Sequence, residues 1–149
     1  MLLLGIVVLV ALAAGTLHVQ CFVKWIISLP CGDVASLLVG QINYWTTDDC
    51  PGKSQKCLYA LISVSDNIIA SHKIPVLSFV DDIECVFRPA ESDGCVVWGH
   101  SVSGSSYAIL DLAINYHNMY NLMKGSGLSF TLGFRNGTQY STVKQLLGL

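Results

Sequence analysis

Residues 57–73 read CLYALISVSDNIIASHK, and this stretch decides the fold of the chain. From residue 58 to residue 64 the side chains divide between two faces with a period of two, which is the period of a β-strand. Asp66 and Asn67 supply turn chemistry before a second apolar run, which covers residues 68–72. The two runs predict an antiparallel hairpin.

Alternation continues beyond this hairpin. In residues 76–88 the odd positions share one apolar face, which also contains Asp81, and the even positions are mixed. A turn at residues 89–94 leads into a further strand with apolar side chains on both faces. We therefore expect a sheet that is either covered on both sides or closed around an apolar interior, with Asp81 making a polar contact there.

Upstream of the hairpin, the sequence predicts one helix from Asp33 to Trp45. Asp33 is a suitable N-cap residue. An apolar stripe at helical spacing follows it, formed by Val34, Leu37, Leu38, Ile42 and Trp45. The polar segment from Cys50 to Cys57 contains proline and glycine, and it predicts an exposed loop held by a disulfide at one or both ends.

The segment from residue 106 to residue 123 fits two structures. Apolar residues at 109, 112, 113, 116, 120 and 123 form a helical stripe, whereas three asparagines and several tyrosine and isoleucine residues favour turns and strands. We predict strands here. A break at residues 125–127 precedes one more predicted strand, from Ser129 to Phe134.

The first fifteen residues carry no charged side chain, and small residues near position 15 suit cleavage by signal peptidase. We interpret residues 1–15 as a signal peptide and residues 16–149 as a single disulfide-containing, β-rich domain, so the protein is predicted to be secreted. His18 and Lys24 interrupt the apolar run before it reaches the length of a stable membrane span. A formal charge of −2 with two arginines does not indicate nucleic-acid binding.

An even number of cysteines in a small secreted chain indicates disulfides. We expect all six to be oxidised, and a bridge between Cys85 and Cys95 across the hairpin is geometrically reasonable. The six are Cys21, Cys31, Cys50, Cys57, Cys85 and Cys95. Asn136 begins the sequon Asn-Gly-Thr and is the predicted glycosylation site.

The sequence does not predict an enzyme, a cofactor or a metal site. Around Ser101, GHSVSG resembles the Gly-x-Ser-x-Gly motif of serine hydrolases, but the second glycine is displaced by one position. The four histidines form no pair with the spacing of metal ligands. A strand with surface serines and scattered histidines is the interpretation that we adopt.

Trp45, residues 57–67, residues 107–111 and the pair Asn115 and Tyr116 follow one another in an order that resembles the lipocalin family. In that family a conserved tryptophan follows a short N-terminal helical turn, and a cysteine-containing strand comes next. The resemblance implies a curved antiparallel sheet, or a small and incomplete β-barrel, that holds a small hydrophobic ligand. An α+β arrangement with one helix on an antiparallel sheet, as in cystatins, is the alternative.

The mainly β prediction leads to two candidate functions. The first is a secreted, non-enzymatic protein that binds a small hydrophobic ligand in an apolar cavity of the sheet. Its predicted pocket residues are Trp45, Tyr59, Phe79, Asp81, Phe87, Trp98 and Tyr107. The second is an extracellular protein-interaction module or a cystatin-like inhibitor, which would have a filled core and an exposed apolar patch near Trp98 or Trp25.

Overall fold

The computed structural model of this chain describes residues 20–75, 79–104 and 108–133. The predicted signal peptide, Tyr107 and Asn136 lie outside the described residues. The described part is mainly β, with six strands and two α-helices. In chain order these are β1 (Gln20–Ile27), α1 (Cys31–Tyr44), β2 (Tyr59–Val64), β3 (Asn67–Lys73), β4 (Val80–Pro89), β5 (Cys95–Val102), α2 (Ala108–Gly125) and β6 (Phe130–Gly133).

The six strands form one antiparallel sheet in the order β2-β3-β4-β5-β1-β6. Strand β5 lies inside the sheet, where Trp98 pairs with Val86 of β4 on one side and with Lys24 of β1 on the other. The sheet is not closed, because β2 and β6 are its two edges. The mainly β prediction is therefore confirmed, whereas these strands do not complete a barrel.

Both helices pack on the same face of the sheet, which we call the inner face. Alternate residues of β1, from Cys21 to Ile27, are buried there. Gly99 of β5 allows close packing, since a Cβ atom at this position would lie 2.6 Å from the ring of Trp25 and 2.8 Å from the sulfur of Met119 in α2. The described core is thus the layer between the inner face and the two helices.

Helix α2 corrects the strands that we predicted for residues 106–123, of which the structure describes Ala108 onward. Its buried side is formed by Asn115, Tyr116, Asn118, Met119, Leu122 and Met123. The asparagines that argued against a helix are on this buried side, where their side chains bond to partners on the sheet. Tertiary contacts therefore override the weak helix propensity of asparagine.

Helix α1 forms near its predicted position but begins at Cys31, two residues before Asp33. Its N-cap residue is Pro30, and no side chain caps it. Val34, Leu38, Ile42 and Trp45 are buried as predicted. Leu37 is an exception, since it remains 43% exposed.

The hairpin of β2 and β3 is confirmed, with an irregularity in β2. The register shifts between Leu61 and Ser63, which is the behaviour of a β-bulge. Tyr59 is buried, whereas Ile62 and Val64 are exposed. The end of β2 therefore presents apolar side chains to solvent at an edge of the sheet.

Two disulfides are present, and they join Cys31 to Cys95 and Cys50 to Cys57. The second closes the predicted loop at both ends. The bridge expected between Cys85 and Cys95 is wrong: Cys85 pairs with Gly99 and Cys95 with Pro89, so the two cysteines lie four residues apart along the hairpin. That separation is about 13 Å, beyond the reach of a disulfide.

Cys21 and Cys85 are free and buried, contrary to the expectation that all six cysteines are oxidised. Cys21 pairs with Ser101 and Cys85 pairs with Gly99, so the two thiols lie on the strands that flank β5. Two strand spacings separate them by about 10 Å. They are therefore too far apart to form a disulfide with each other.

Candidate functional site

The structure separates the predicted pocket residues instead of gathering them around one cavity. Trp45 and Tyr59 pack together within the core, with ring centroids 5.6 Å apart, and Asp81 is buried on the same side of the sheet. Phe87 packs partly buried against this core, and Phe79 precedes β4. Trp98 lies in register with Val86 and Lys24, on the opposite face.

A cluster of buried polar residues lies between α2 and the inner face. It consists of His72, Asp81, Ser101, Ser103, Asn115 and Asn118. Asn118 is central to it: its Oδ1 atom lies 2.7 Å from Nδ1 of His72, and its Nδ2 atom donates to Oδ2 of Asp81 at 2.8 Å. The backbone oxygen of Asn118 also accepts a hydrogen bond from the hydroxyl of Tyr59 at 2.9 Å. One helical residue thus connects three strands.

The remaining members extend the cluster toward the end of β5. Ser101 donates to Oδ1 of Asn115 at 2.7 Å, and Nδ2 of Asn115 donates to Oγ of Ser103, also at 2.7 Å. The backbone N–H of Gly104 donates to Oδ1 of Asp81 at 3.1 Å. Buried side-chain amides and hydroxyls are thereby paired, as burial without water requires.

The hydrogen bonds of the cluster indicate which protonation states of His72 and Asp81 they favour. Because Asn118 uses its amide nitrogen toward Asp81, its oxygen must accept, and Nδ1 of His72 carries the proton between them. Both carboxylate oxygens of Asp81 accept hydrogen bonds, which is the pattern of an ionised carboxylate. Burial raises the pKa of Asp81, while the bonds from Asn118 and Gly104 oppose that rise. Burial lowers the pKa of His72. The hydrogen bond with Asn118 and the charge of Asp81 partly oppose this decrease.

The cluster does not have the arrangement of a serine hydrolase. Ser101 is fully buried and gives its proton to Asn115 rather than to a histidine. Within the described residues, the imidazole of His72 bonds instead to Asn118. A nucleophilic serine needs a base within hydrogen-bond reach and access for substrate. The contacts of this cluster are those of a structural link between α2 and the sheet.

The opposite side of the sheet, which we call the outer face, has a different character. Its members are the alternate residues of the strands that point away from the helices. Those of β1, β4 and β5 are Gln20, Phe22, Lys24, Ile26, Val80, Asp82, Glu84, Val86, Arg88, Val96, Trp98, His100 and Val102. Phe22, Ile26 and Val80 are between 38% and 48% exposed. Large apolar groups therefore contact solvent on a face that neither helix covers.

Ordered contacts hold the centre of the outer face. The ring of Phe22 stacks on that of His100 with centroids 4.0 Å apart, and His100 Nε2 lies 2.7 Å from Oε1 of Gln20. The ammonium group of Lys24 lies 5.2 Å from the centroid of the Trp98 ring, within the range of a cation–π contact. The outer face is thus a set of oriented aromatic and aliphatic groups.

Charges of both signs are interspersed with these apolar groups. Asp82 and Glu84 lie on β4, Lys24 lies on β1, and Arg88 is at the end of β4. Glu84 is held by a hydrogen bond from Nδ2 of Asn67 at 2.6 Å. Aromatic and apolar groups together with charges of both signs also occur in protein–protein interfaces.

Surface clefts lie beside several of the described elements. A groove of about 580 Å³ lies where β2, β3 and β4 meet the loop after α1, and Thr46, Leu58, Tyr59, Lys73 and Val80 are among its lining residues. A cleft of about 250 Å³ lies against α2 beside Gln55, His117 and Asn121. A third, of about 360 Å³, crosses the outer face beside Glu84 and His100.

No group of three or more potential metal ligands occurs in the described ranges. Neither helix in those ranges is long and apolar enough to cross a membrane. Comparison of the chain with known protein families, with curated proteins and with solved structures found no match.

Sequence reasoning identified part of the outer face and missed the rest. Alternation along the strand predicted after residue 94 puts Val96 and Trp98 on one face and Cys95 on the other, which the register confirms. Sequence reasoning did not identify β1 as a strand, and so Phe22 and Ile26 were overlooked. The signal was present, because alternate residues from Cys21 to Ile27 are apolar and the intervening positions include Lys24.

Proposed function

We propose that this chain is a non-enzymatic extracellular interaction module that binds a protein partner through the outer face. The observation that carries the proposal is the asymmetry of the sheet. Two helices cover its inner face, whereas Phe22, Ile26 and Val80 remain exposed on the other. A sheet in a stable protein commonly buries one face and leaves a polar one in water, and this outer face departs from that pattern.

The composition of the outer face favours a folded protein as the partner. Its centre contains Trp98 and Phe22, and aromatic side chains of this kind are frequent at the energetic centres of interfaces. The same face carries Lys24 and Arg88 together with Asp82 and Glu84. A surface that binds anionic lipid would carry a basic cluster, so the mixed charges favour a partner that also has both signs of charge.

Two disulfides are compatible with an extracellular location for such a module. Cys31–Cys95 joins the start of α1 to the start of β5, the strand that carries Trp98. A binding surface on a sheet fixed in this way requires little ordering on association, which lowers the entropic cost of binding.

The test is a binding screen against an array of purified extracellular domains. We expect at least one partner to bind the wild-type chain and to lose about tenfold or more in affinity when Ile26→Asp replaces an exposed apolar side chain of the face by a charge. Leu37→Asp is the matched control, because Leu37 is 43% exposed on α1 and lies on the other side of the molecule. Binding that Ile26→Asp leaves unchanged, or that Leu37→Asp abolishes equally, would refute the proposal.

A second candidate function is favoured by the groove of about 580 Å³ beside Leu58 and Tyr59. Its lining includes Leu58, Ala60 and Val80 together with Lys73 and Asp48. The candidate ligand is a small apolar molecule whose anionic group contacts Lys73. Titration with a fluorescent fatty acid is the test. Saturable binding that Lys73→Glu weakens would support this function, and non-saturable binding, or binding that Lys73→Glu does not change, would exclude it.

A further inference from the structure

The loop of residues 50–57, which the Cys50–Cys57 bridge closes, lies against a buried histidine and is called here the disulfide loop. Within the described residues, His72 is fully buried and its Nε2 atom has no hydrogen-bond partner. We infer that the disulfide loop opens in acid: it is closed over His72 while the ring is neutral and moves away when Nε2 gains a proton. This inference goes beyond the proposed function and does not depend on it.

The contacts of the His72 ring define what each nitrogen can do. Nδ1 donates to Oδ1 of Asn118 at 2.7 Å, so Nε2 of the neutral ring can only accept. The backbone of Gln55 and of Cys57 also acts on the ring and favours its charged form, which is the effect of carbonyl oxygens. Because Asn118 occupies Nδ1, these carbonyls face Nε2. The neutral ring therefore directs a lone pair at acceptors of the disulfide loop.

A proton on Nε2 supplies a donor to these carbonyls, but burial of the charge outweighs that gain. Burial lowers the pKa of His72 although Asn118, Asp81 and the two backbone groups all act to raise it. Once the loop has opened, water solvates the imidazolium and the ring regains its ordinary pKa of 6.5. Proton binding is thus tighter in the open form, and acid shifts the loop toward it.

Two titratable side chains face His72 from the flanking strands. Asp81 of β4 is its partner in register, and the ring of Tyr59 in β2 stacks on it with centroids 3.9 Å apart. Burial raises the pKa of both, so the phenol stays neutral and Asp81 takes up a proton more readily in acid. From α2 the ring meets the amide of Asn118, which does not titrate, and Lys56 of the loop is exposed to solvent. Protonation of Asp81 removes the negative charge that favours the imidazolium, which adds to the opening.

The disulfide loop is built to move as one unit. The N–H of Ser54 donates to the carbonyl of Pro51 at 3.0 Å, and the N–H of Lys56 donates to Oγ of Ser54 at 3.1 Å. Both bonds lie within the loop, and the disulfide joins its two ends. Opening therefore leaves the internal structure of the loop intact.

Leu58 is the hinge between the disulfide loop and β2. Its φ of 56° lies in the left-handed region, which a leucine seldom adopts, so the closed loop holds backbone strain at this residue. The N–H of Leu58 donates to the carbonyl of Thr47 at 2.8 Å across the base of the loop. Rotation at Leu58 relieves the strain and turns the loop away while its base stays attached.

Opening of the disulfide loop changes two clefts. Gln55 lines the cleft of about 250 Å³ against α2, and Leu58 lines the groove of about 580 Å³ beside β2. Movement of the loop removes part of one wall from each. A molecule held in either cleft is therefore released more readily in acid.

The test is native-state hydrogen exchange of the whole disulfide-bonded protein, read by mass spectrometry at about pH 7 and about pH 5. We expect the protection factors of amides in residues 50–58 to fall by about tenfold in acid, because the open form binds the proton more tightly. Amides of β5 and α2 should remain better protected. Low urea should speed exchange of these core amides and leave the loop amides unchanged, since local opening exposes little surface.

His72→Gln keeps a donor for Asn118 and does not titrate, so its loop should be equally protected at both pH values. His100→Gln, on the outer face, is the matched control and should keep the acid-induced opening of the wild type. Unchanged loop protection between the two pH values would overturn the inference. So would loop amides that exchange only together with β5, or a His72→Gln variant that still opens in acid. If His72→Gln does not fold, an NMR titration of the wild type decides: the midpoints of the His72 ring signal and of the loop amides must coincide, and separate midpoints would refute the inference.

Discussion

At the scale of single residues, Asn118 shows how one polar side chain can organise a core. Its amide bonds to both His72 and Asp81, which lie on neighbouring strands. The sequence indicated that Asp81 would be buried and would need a partner, and the structure confirms both points. It did not indicate which residue the partner would be, because an asparagine 37 positions away leaves no periodic signal.

We predict that Asn118→Ala destabilises the fold by about 2–4 kcal/mol, because it leaves Nδ1 of His72 and Oδ2 of Asp81 buried without their partner. His117→Ala is the control at the next position of α2, where the side chain is half-buried and lines a surface cleft. Urea denaturation of both variants measures the difference. Equal losses in the two variants would show that the amide contributes little beyond packing.

The thiols of Cys21 and Cys85 give a second prediction at this scale. Burial raises the pKa of each thiol to about 12, with a smaller contribution from Glu84 at Cys85. Since the thiolate is the reactive form, neither should react with a thiol reagent at neutral pH in the folded protein. We expect two thiols per chain to react in denaturant and none before. A count of zero in denaturant would show that the two cysteines are oxidised.

At the scale of elements, the two disulfides are expected to differ in their effect on stability. Cys31–Cys95 spans 64 residues, whereas Cys50–Cys57 spans seven. In the chain-entropy account these loops correspond to about 4 and about 2 kcal/mol. Replacing Cys31 and Cys95 together by serine should therefore lower the denaturation midpoint more than the same change at Cys50 and Cys57. The reverse order in thermal or urea denaturation would contradict this prediction.

Elements also show where sequence prediction succeeds and where it fails. Strands β3, β4 and β5 follow from strict alternation, because burial of one face imposes a period of two. Helix α2 was missed because its buried side contains Asn115 and Asn118. Their contribution to stability depends on hydrogen-bond partners in β5 and β4, which the local sequence does not show. Local sequence pattern also could not show that the six described strands form an open sheet. Apolar residues on both faces of a sheet predict that both faces are covered. A sheet with helices on one face and exposed apolar side chains on the other has the same sequence pattern.

At the scale of the whole molecule, burial of histidines makes stability depend on pH. Burial lowers the pKa values of His72, His100 and His117 below the ordinary value of 6.5. Asn118 and Asp81 act to raise the pKa of His72, and Glu84 acts to raise the pKa of His100, but burial is the larger effect at both. Between the folded pKa values and 6.5 the unfolded chain binds more protons, so stability falls as the solution is acidified below pH 6.5. Above that value the contribution of the neutral imidazoles is fully present.

Asp81 has the opposite effect on the pH dependence of stability, and it does so at lower pH. Its folded pKa is raised above 3.8, so the folded chain binds the extra proton and gains stability as pH falls from the raised value toward 3.8. We therefore expect the free energy of unfolding to decline below pH 6.5 and the decline to flatten at lower pH. The fully buried His72 contributes a slope of at most about 1.4 kcal/mol per pH unit.

Urea denaturation at a series of pH values from 7.5 to about 4 measures this dependence. His72→Gln keeps a donor for the oxygen of Asn118 but does not titrate, so its curve should be flatter than that of the wild type. The remaining slope then belongs to the half-buried His100 and His117 and to the other titratable groups. A His72→Gln curve parallel to the wild type over the whole range would show that the buried cluster does not link folding to pH.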